Sequence, residues 1–277
     1  MSKDFSYDPV TAISESEAQG QIKSIFRDIR KTMGIPILTS IWRGLARDVI
    51  NLKITWESIK PMYRDNSPNE ALSALINEIE LAEDGKKPHK IATLKSYVAD
   101  KNMILNIIKS YNRSNGLNFV TMHALNRPNG ASPLILARDH FKLGETISLP
   151  PLLERGSFKS SDWNIVEKIN SLGTNGSLEV KVATLWRHLG YWPNLLEIIY
   201  EDLAKPQSLL DIEYKSQQII ELARKKSENI DNRHCLFEKL PNNIKVIIQD
   251  YINEPIQVPR MVILGLIIEK WIERWVA

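Results

Sequence analysis

The chain carries one cysteine, Cys235, among 277 residues. A lone thiol can close no intramolecular disulfide and build no Cys-x-x-Cys redox or zinc pair, so a reducing, cytoplasmic setting is expected. No second Cys or His stands at ligand spacing from His234-Cys235, and no metal site is expected. Charge of one sign is also scarce. The formal net charge is +3, with basic residues interleaved among acidic ones, so no phosphate-tracking stripe forms and no nucleic-acid partner is expected. Long apolar runs are missing as well. The strongest, Met261 to Ile268, falls short of the roughly 20 apolar residues that cross a bilayer, and charged residues flank it, so it reads as a core helix and no membrane partner is expected. The opening MSKDFSYDPV lacks the apolar stretch of a signal peptide. A Gly-rich phosphate loop, His-Glu-x-x-His and Gly-x-Ser-x-Gly are absent too, and each absence removes a reaction class.

What the sequence has is helical periodicity. A hydrophobic fraction of 43% with 25% charged residues is that of an ordinary globular chain, long enough for a large core. Ser14 and Glu17 make a capping box, and Ala18, Ile22, Ile25, Phe26, Ile29 and Met33 follow at helical spacing until Gly34 and Pro36. Ala71, Leu72, Leu75, Ile76 and Ile79 repeat the pattern, as do Met103, Ile104, Ile107, Ile108 and Tyr111. His89 falls in the polar GKKPHK break and reads as a solvated loop residue. Later helices are expected around Trp163 to Leu172, Val182 to Leu189, Leu195 to Leu203, Leu209 to Lys226, Ile244 to Ile252 and on to Trp275. No segment sustains the period-2 alternation of strands, so the fold is expected to be all-α.

One stretch returns. SIWRGLARDVINLKITWESIKP, from Ser40 to Pro61, overlies TLWRHLGYWPNLLEIIYEDLAKP after a shift of 144 positions (186 − 42). Trp42 meets Trp186, Arg43 meets Arg187, Leu45 meets Leu189, Leu52 meets Leu196, Ile54 meets Ile198 and Glu57 meets Glu201. Six ungapped identities, two of them an adjacent Trp-Arg pair, indicate an internal duplication. Between the copies lies a Pro- and Gly-rich stretch ending in LPPL, Leu149 to Leu152, which places the boundary between residues 1–148 and 149–277.

Three groups of residues are candidates for a site. Tyr111-Asn112-Arg113-Ser114-Asn115 crowds polar groups into one turn between two apolar helices; Asn112 and Asn115 either cap and turn the chain or reach with Tyr111 into an interior pocket. Arg43 and Arg187 either pair with their own Glu57 and Glu201 or meet between the halves and clamp a carboxylate. Trp42 and Trp186 are core residues, pocket walls or both. His123 reads as a satisfied core or rim histidine.

The Trp-Arg-x-Leu pattern of both halves, YNRSNGLNF from Tyr111 to Phe119, the LPPL linker and the closing PRMVILGLIIEKW together resemble the group I 2-haloacid dehalogenases. The resemblance spans most of the chain. It implies an all-α fusion of two related repeats, packed as a pseudo-dimer of the alkylhydroperoxidase D-like kind, with the active site between the halves. It implies a hydrolase in which an aspartate activates the water that displaces halide directly, with no metal or organic cofactor. A single cysteine excludes the peroxidase chemistry of the alkylhydroperoxidase D-like enzymes, which needs two. At the position of the family's aspartate this chain has Leu185, which takes no proton. His188, one turn on, is then the nearest base, with Glu179 further from that face. The expected ligand is a small carboxylate held by Arg43, Arg187, Asn112, Asn115, Tyr111, Trp42 and Trp186, and the reading allows a homodimer. Two alternatives stand beside it: a catalytically inactive ligand-binding or protein-interaction member of the fold, and an enzyme of different chemistry on a larger apolar substrate.

Overall fold

The periodic segments of the sequence fold as twelve α-helices in the computed structural model, which describes residues 13–81, 88–128, 147–174, 182–235, 237–256 and 258–276. In chain order they are α1 (Gly20–Met33), α2 (Ser40–Leu45), α3 (Val49–Ile59), α4 (Ser67–Glu78), α5 (Ile91–Leu94) and α6 (Lys101–Asn126). The second series is α7 (Ser160–Gly173), α8 (Thr184–His188), α9 (Pro193–Leu203), α10 (Pro206–Ser227), α11 (Asn242–Asn253) and α12 (Val258–Trp275). Among the described residues there is no strand, as the periodicity requires. None of these helices is long and apolar enough to cross a membrane.

Local chemistry sets most boundaries. Pro68, Pro193 and Pro206 sit in the first turn of α4, α9 and α10, where a missing N–H costs nothing. Gly34 ends α1 in the left-handed conformation, φ 61°, with its N–H on the Arg30 carbonyl. The Ser14–Glu17 box forms reciprocally, Glu17 N–H donating to Ser14 Oγ at 3.2 Å and Ser14 N–H to Glu17 Oε2 at 3.1 Å. It closes a turn at 15–17, however, and α1 starts only at Gly20, whose φ of 52° redirects the backbone.

Two expectations need correction. The asparagine-rich segment is no break between helices: α6 runs unbroken for 26 residues through Asn112, Asn115 and Asn118. Asparagine costs a helix only a few tenths of a kcal/mol against alanine, and tertiary partners outweigh that. His89 is not simply solvated either. It clamps onto α9, Nε2 at 2.8 Å from Glu201 and Nδ1 at 2.9 Å from Asp202.

The two series share an order. In each, the first helix packs on the third (α1 on α3, α7 on α9), and the last long helices, α6 and α12, pack along each other at the centre. At Gly265 of α12 the approach is so close that a Cβ would collide with the Asn112 amide of α6. A second shared feature ties each series together. Arg113 of α6 donates from Nε to the Gly34 carbonyl at 3.0 Å, and from Nη2 to the Met33 carbonyl at 3.0 Å and Asn69 Oδ1 of α4 at 2.8 Å. Arg260 of α12 donates from Nε to the Leu172 carbonyl at 2.5 Å and from Nη1 to Glu213 of α10 at 2.5 Å. Asn69 and Glu213 stand 144 positions apart (213 − 69), the shift of the sequence repeat. Each guanidinium thus caps the end of the first helix of its series and holds the fourth long element to the last.

Two stability predictions follow from buried cations and bases. Arg260 is 2% exposed, so Arg260→Met strands the Leu172 carbonyl and the partly covered Glu213 carboxylate; a loss of about 3 kcal/mol is expected. In thermal unfolding that is a fall of roughly 6 to 12 °C for a chain of this size; a shift below a degree would show the cap to be dispensable. His123 is buried against Phe119, centroids 4.9 Å apart, and burial pushes its pKa down to about 4. Below the ordinary value the unfolded chain takes a proton that the folded chain refuses, so stability is full at neutral pH and falls between about pH 6.5 and 4, by about 3 kcal/mol from this residue. His123→Gln is expected to flatten that stretch of the stability–pH curve measured by denaturant unfolding.

Candidate functional site

The starts of α2 and α8 face one cavity. Thr39 and Ser40 line it from the first series, Ala183, Thr184 and Leu185 from the second, and Thr39/Ala183 and Ser40/Thr184 are again pairs 144 apart (183 − 39, 184 − 40). Helix α6 adds Tyr111 and Asn115, the end of α7 adds Asn170, Gly173 and Thr174, and Val258 and Met261 come from α12, with Val182 beside them. The cavity offers about 90 Å³ to the centres of water-sized spheres. One water needs about 10–15 Å³ on that measure, so there is room for roughly six to nine such positions, a molecule of a few heavy atoms.

Its chemistry is mixed and nearly uncharged. Hydroxyls and amides of Thr39, Ser40, Tyr111, Asn115, Asn170 and Thr184 share the lining with Val182, Leu185, Val258 and Met261. Among the described lining residues Tyr111 is the only titratable group. Asn170 Oδ1 accepts the Ala183 N–H at 2.9 Å, which pins the end of α7 to the start of α8. Asn118 donates from Nδ2 to Thr39 Oγ1 at 2.7 Å and accepts the Trp42 indole N–H at 2.9 Å, which fixes the start of α2. The Asn115 side chain makes no hydrogen bond among the described residues.

Of the residues nominated from sequence, Tyr111 and Asn115 reach the cavity, one helical turn apart on α6, and Leu185 lines it too. The others do not. Asn112 looks the other way, donating from Nδ2 to Glu269 of α12 at 2.6 Å; burial first of all raises that carboxyl's pKa. Trp42 and Trp186 are fully buried core, Trp42 edge-on to Trp56 with centroids 5.6 Å apart. Arg187 is 1% exposed and holds the linker, Nε on the Leu153 carbonyl at 2.8 Å and Nη2 on Glu154 at 2.9 Å. Arg43 is likewise buried outside the lining. The arginine–glutamate pairs within each repeat do not form, because Glu57 sits with Lys53 and Glu201 with His89 and Lys90.

His188, expected as the water-activating base, does not line the cavity. It is 3% exposed and stands behind Tyr111, outside the lining. Both ring nitrogens are occupied, Nδ1 by the Tyr111 hydroxyl at 3.0 Å and Nε2 by the Pro150 carbonyl at 2.7 Å. Burial, then the neighbouring Arg187, holds its pKa below the ordinary value against the opposing pull of the Pro150 carbonyl. Glu179 lies outside the described residues. Sequence reasoning missed Thr39, Ser40, Asn170, Thr184 and Met261. Ser40 and Thr184 were within reach, since the register of the similar segments puts the residues just ahead of each Trp-Arg pair on equal footing.

No protein-family model and no curated protein matches the chain. Solved structures do. A complex of D-2-haloacid dehalogenase with L-LA aligns with 13% identity over 96% of this chain and 96% of that one, TM-score 0.71. A mutant D-2-haloacid dehalogenase complexed with D-2-CPA aligns over 98% and 97%, also at 13% identity, TM-score 0.70. A further mutant gives 13% over 96% and 97%, TM-score 0.68. From end to end, this chain has the all-α fold of the D-2-haloacid dehalogenases.

Proposed function

We propose that this chain is a hydrolase-type relative of the 2-haloacid dehalogenases that holds a small carboxylate-type molecule between two related repeats, residues 1–148 and 149–277, without performing their aspartate-driven dehalogenation. The observation that carries the reading is the lining of the cavity. Equivalent positions of the two Trp-Arg segments meet there, the volume suits a short acid, and Leu185 occupies the place where the family resemblance expects the base. A pseudo-dimer of fused repeats accounts for the paired lining residues, while Arg113 and Arg260, 147 apart (260 − 113), serve similar ends three positions off that register.

Neutral donors suffice for a carboxylate. A hydrogen bond to a charged group contributes about 1.5–3 kcal/mol, so the Asn115 amide with the Ser40 and Thr184 hydroxyls can hold an anion without the arginine clamp first considered. Val258, Met261 and Leu185 then take the short alkyl part. Hydrolysis by water activation requires a proton acceptor at the reacting atom, and the described lining holds only the Tyr111 phenol. That shortage favours the second reading, a ligand-binding protein on a hydrolase scaffold.

Halide release and calorimetry separate the readings. The wild-type chain is expected to release no halide from D- or L-2-chloropropionate above the water blank while binding at least one of them. Asn115→Ala is expected to weaken that binding about tenfold, the equivalent of one hydrogen bond to an anion. Turnover of chloropropionate would overturn the loss of dehalogenation, and unchanged affinity in Asn115→Ala would remove the residue from the site. Hydrolysis of neither halo acids nor short-chain esters, with binding intact, would select the binding-protein reading.

A further inference from the structure

Two neighbouring carboxylates of α9 grip one imidazole of the first series. His89 Nε2 lies 2.8 Å from Glu201 Oε2 and Nδ1 2.9 Å from Asp202 Oδ2, with the His89 backbone N–H on that same Asp202 oxygen at 3.1 Å. Both acids are ionised. The Lys90 ammonium, 2.7 Å from Glu201, first of all holds that carboxyl below its ordinary pKa; burial pulls the Asp202 carboxyl up but is outweighed by Lys205 and His89. A carboxylate only accepts, so each of these short contacts needs a proton on its ring nitrogen, and the imidazole carries two. A neutral ring has one N–H and turns a bare lone pair on the other acid. The His89 side chain is 36% exposed, so water can reach it and take the second proton.

The chain that His89 holds has little else to fasten it. Among the described side chains of residues 88–100, which include α5 and the short helical turn Lys95–Asp100, only Pro88 and Leu94 are buried. A segment with so few buried apolar contacts opens more easily than the core, and a polar contact then decides how often. We propose that His89 is a proton-dependent latch: doubly protonated, it fastens residues 88–100 of the first series to α9 of the second, and it lets that segment loosen as the pH rises and the ring gives up a proton. The charged groups around the ring, among the described residues, are Glu201 and Asp202 themselves, Lys90 on Glu201, Lys205 on Asp202 and Glu197 one turn back on α9. Histidine is the side chain that changes charge between about pH 5 and 8, whereas lysines and ionised carboxylates keep theirs there. The sign is opposite to that of His123. The charged His89 ring contributes its hold in acid and loses it with rising pH, while His123 is refused a proton in the fold.

Nitrogen NMR of the isotopically labelled full chain reads the ring, and amide hydrogen exchange reads the segment. At about pH 5.5 both His89 ring nitrogens are expected in the protonated range; a neutral tautomer at that pH overturns the latch. Protection of the amides in residues 92–100, corrected for the intrinsic pH dependence of exchange, is expected to fall about fivefold from about pH 5.5 to about pH 9, the size of one ion pair at a partly exposed site. Helix α6 is expected to keep its protection over the same range, and an equal fall there is global loosening, which overturns the proposal. His89→Arg, a cation with several donors at either pH, is expected to hold the segment closed throughout. His89→Gln has nothing to titrate and is expected to show low protection at both ends of the range. A fall that persists unchanged in either variant belongs to another group and overturns the assignment to His89, as does equal protection of the wild-type segment at both pH values.

Discussion

Two guanidinium groups close this fold. A helix leaves its last carbonyls without partners, and inside a helical protein there is little water to satisfy them. Arg113 and Arg260 each reach from a central helix to the end of the first helix in their series, and each takes a further acceptor from the fourth long element, Asn69 or Glu213. Arg127 does the same near the end of α10, donating to the Ser227 and Ile230 carbonyls at 2.9 and 2.8 Å. Several donors in one rigid fork make arginine suited to this, and a lysine in the same place could not span the same acceptors. The geometry of the cavity follows from these caps: the end of α7 held by Arg260 is also where Asn170 and Thr174 enter the lining.

The continuity of α6 decides which polar groups reach the cavity. At 3.6 residues per turn, positions three apart are turned by only about 60°, so Asn112, Asn115 and Asn118 meet different neighbours because different elements pack against each. Asn112 fastens α12, Asn118 fastens the start of α2, and Asn115 with Tyr111 is left to the cavity. Structural and cavity-facing amides therefore coexist on one element. The close approach at Gly265 that makes room for Asn112 is also what brings α12, with Val258 and Met261, near enough to wall the same space.

Electrostatically the cavity is quiet and its surroundings are not. The arginines expected to clamp a ligand are buried elsewhere, Arg187 donating to the Leu153 carbonyl and ion-paired with Glu154 of the linker. That choice has a consequence for Tyr111. With the linker held down, the Pro150 carbonyl stands against His188, and the tautomer of a buried imidazole becomes a property of the chain's fold.

The helical class and most helix ends were legible in the sequence, because periodicity, proline and glycine act within a few residues of themselves. That Tyr111 and Asn115 share one side of a helix was legible for a related reason, since helical spacing acts over a single turn. The roles of Asn112, Arg43, Arg187, Trp42, Trp186 and His188 were not, since whether a polar side chain faces a partner or a cavity depends on which helix packs against it from far along the chain. The caps made by Arg113 and Arg260 belong to the same category, bonds spanning 80 and 88 residues that no local signal announces. Sequence by itself determined where the chain is helical; tertiary packing alone decided which of its polar groups hold the protein together and which are left facing the cavity.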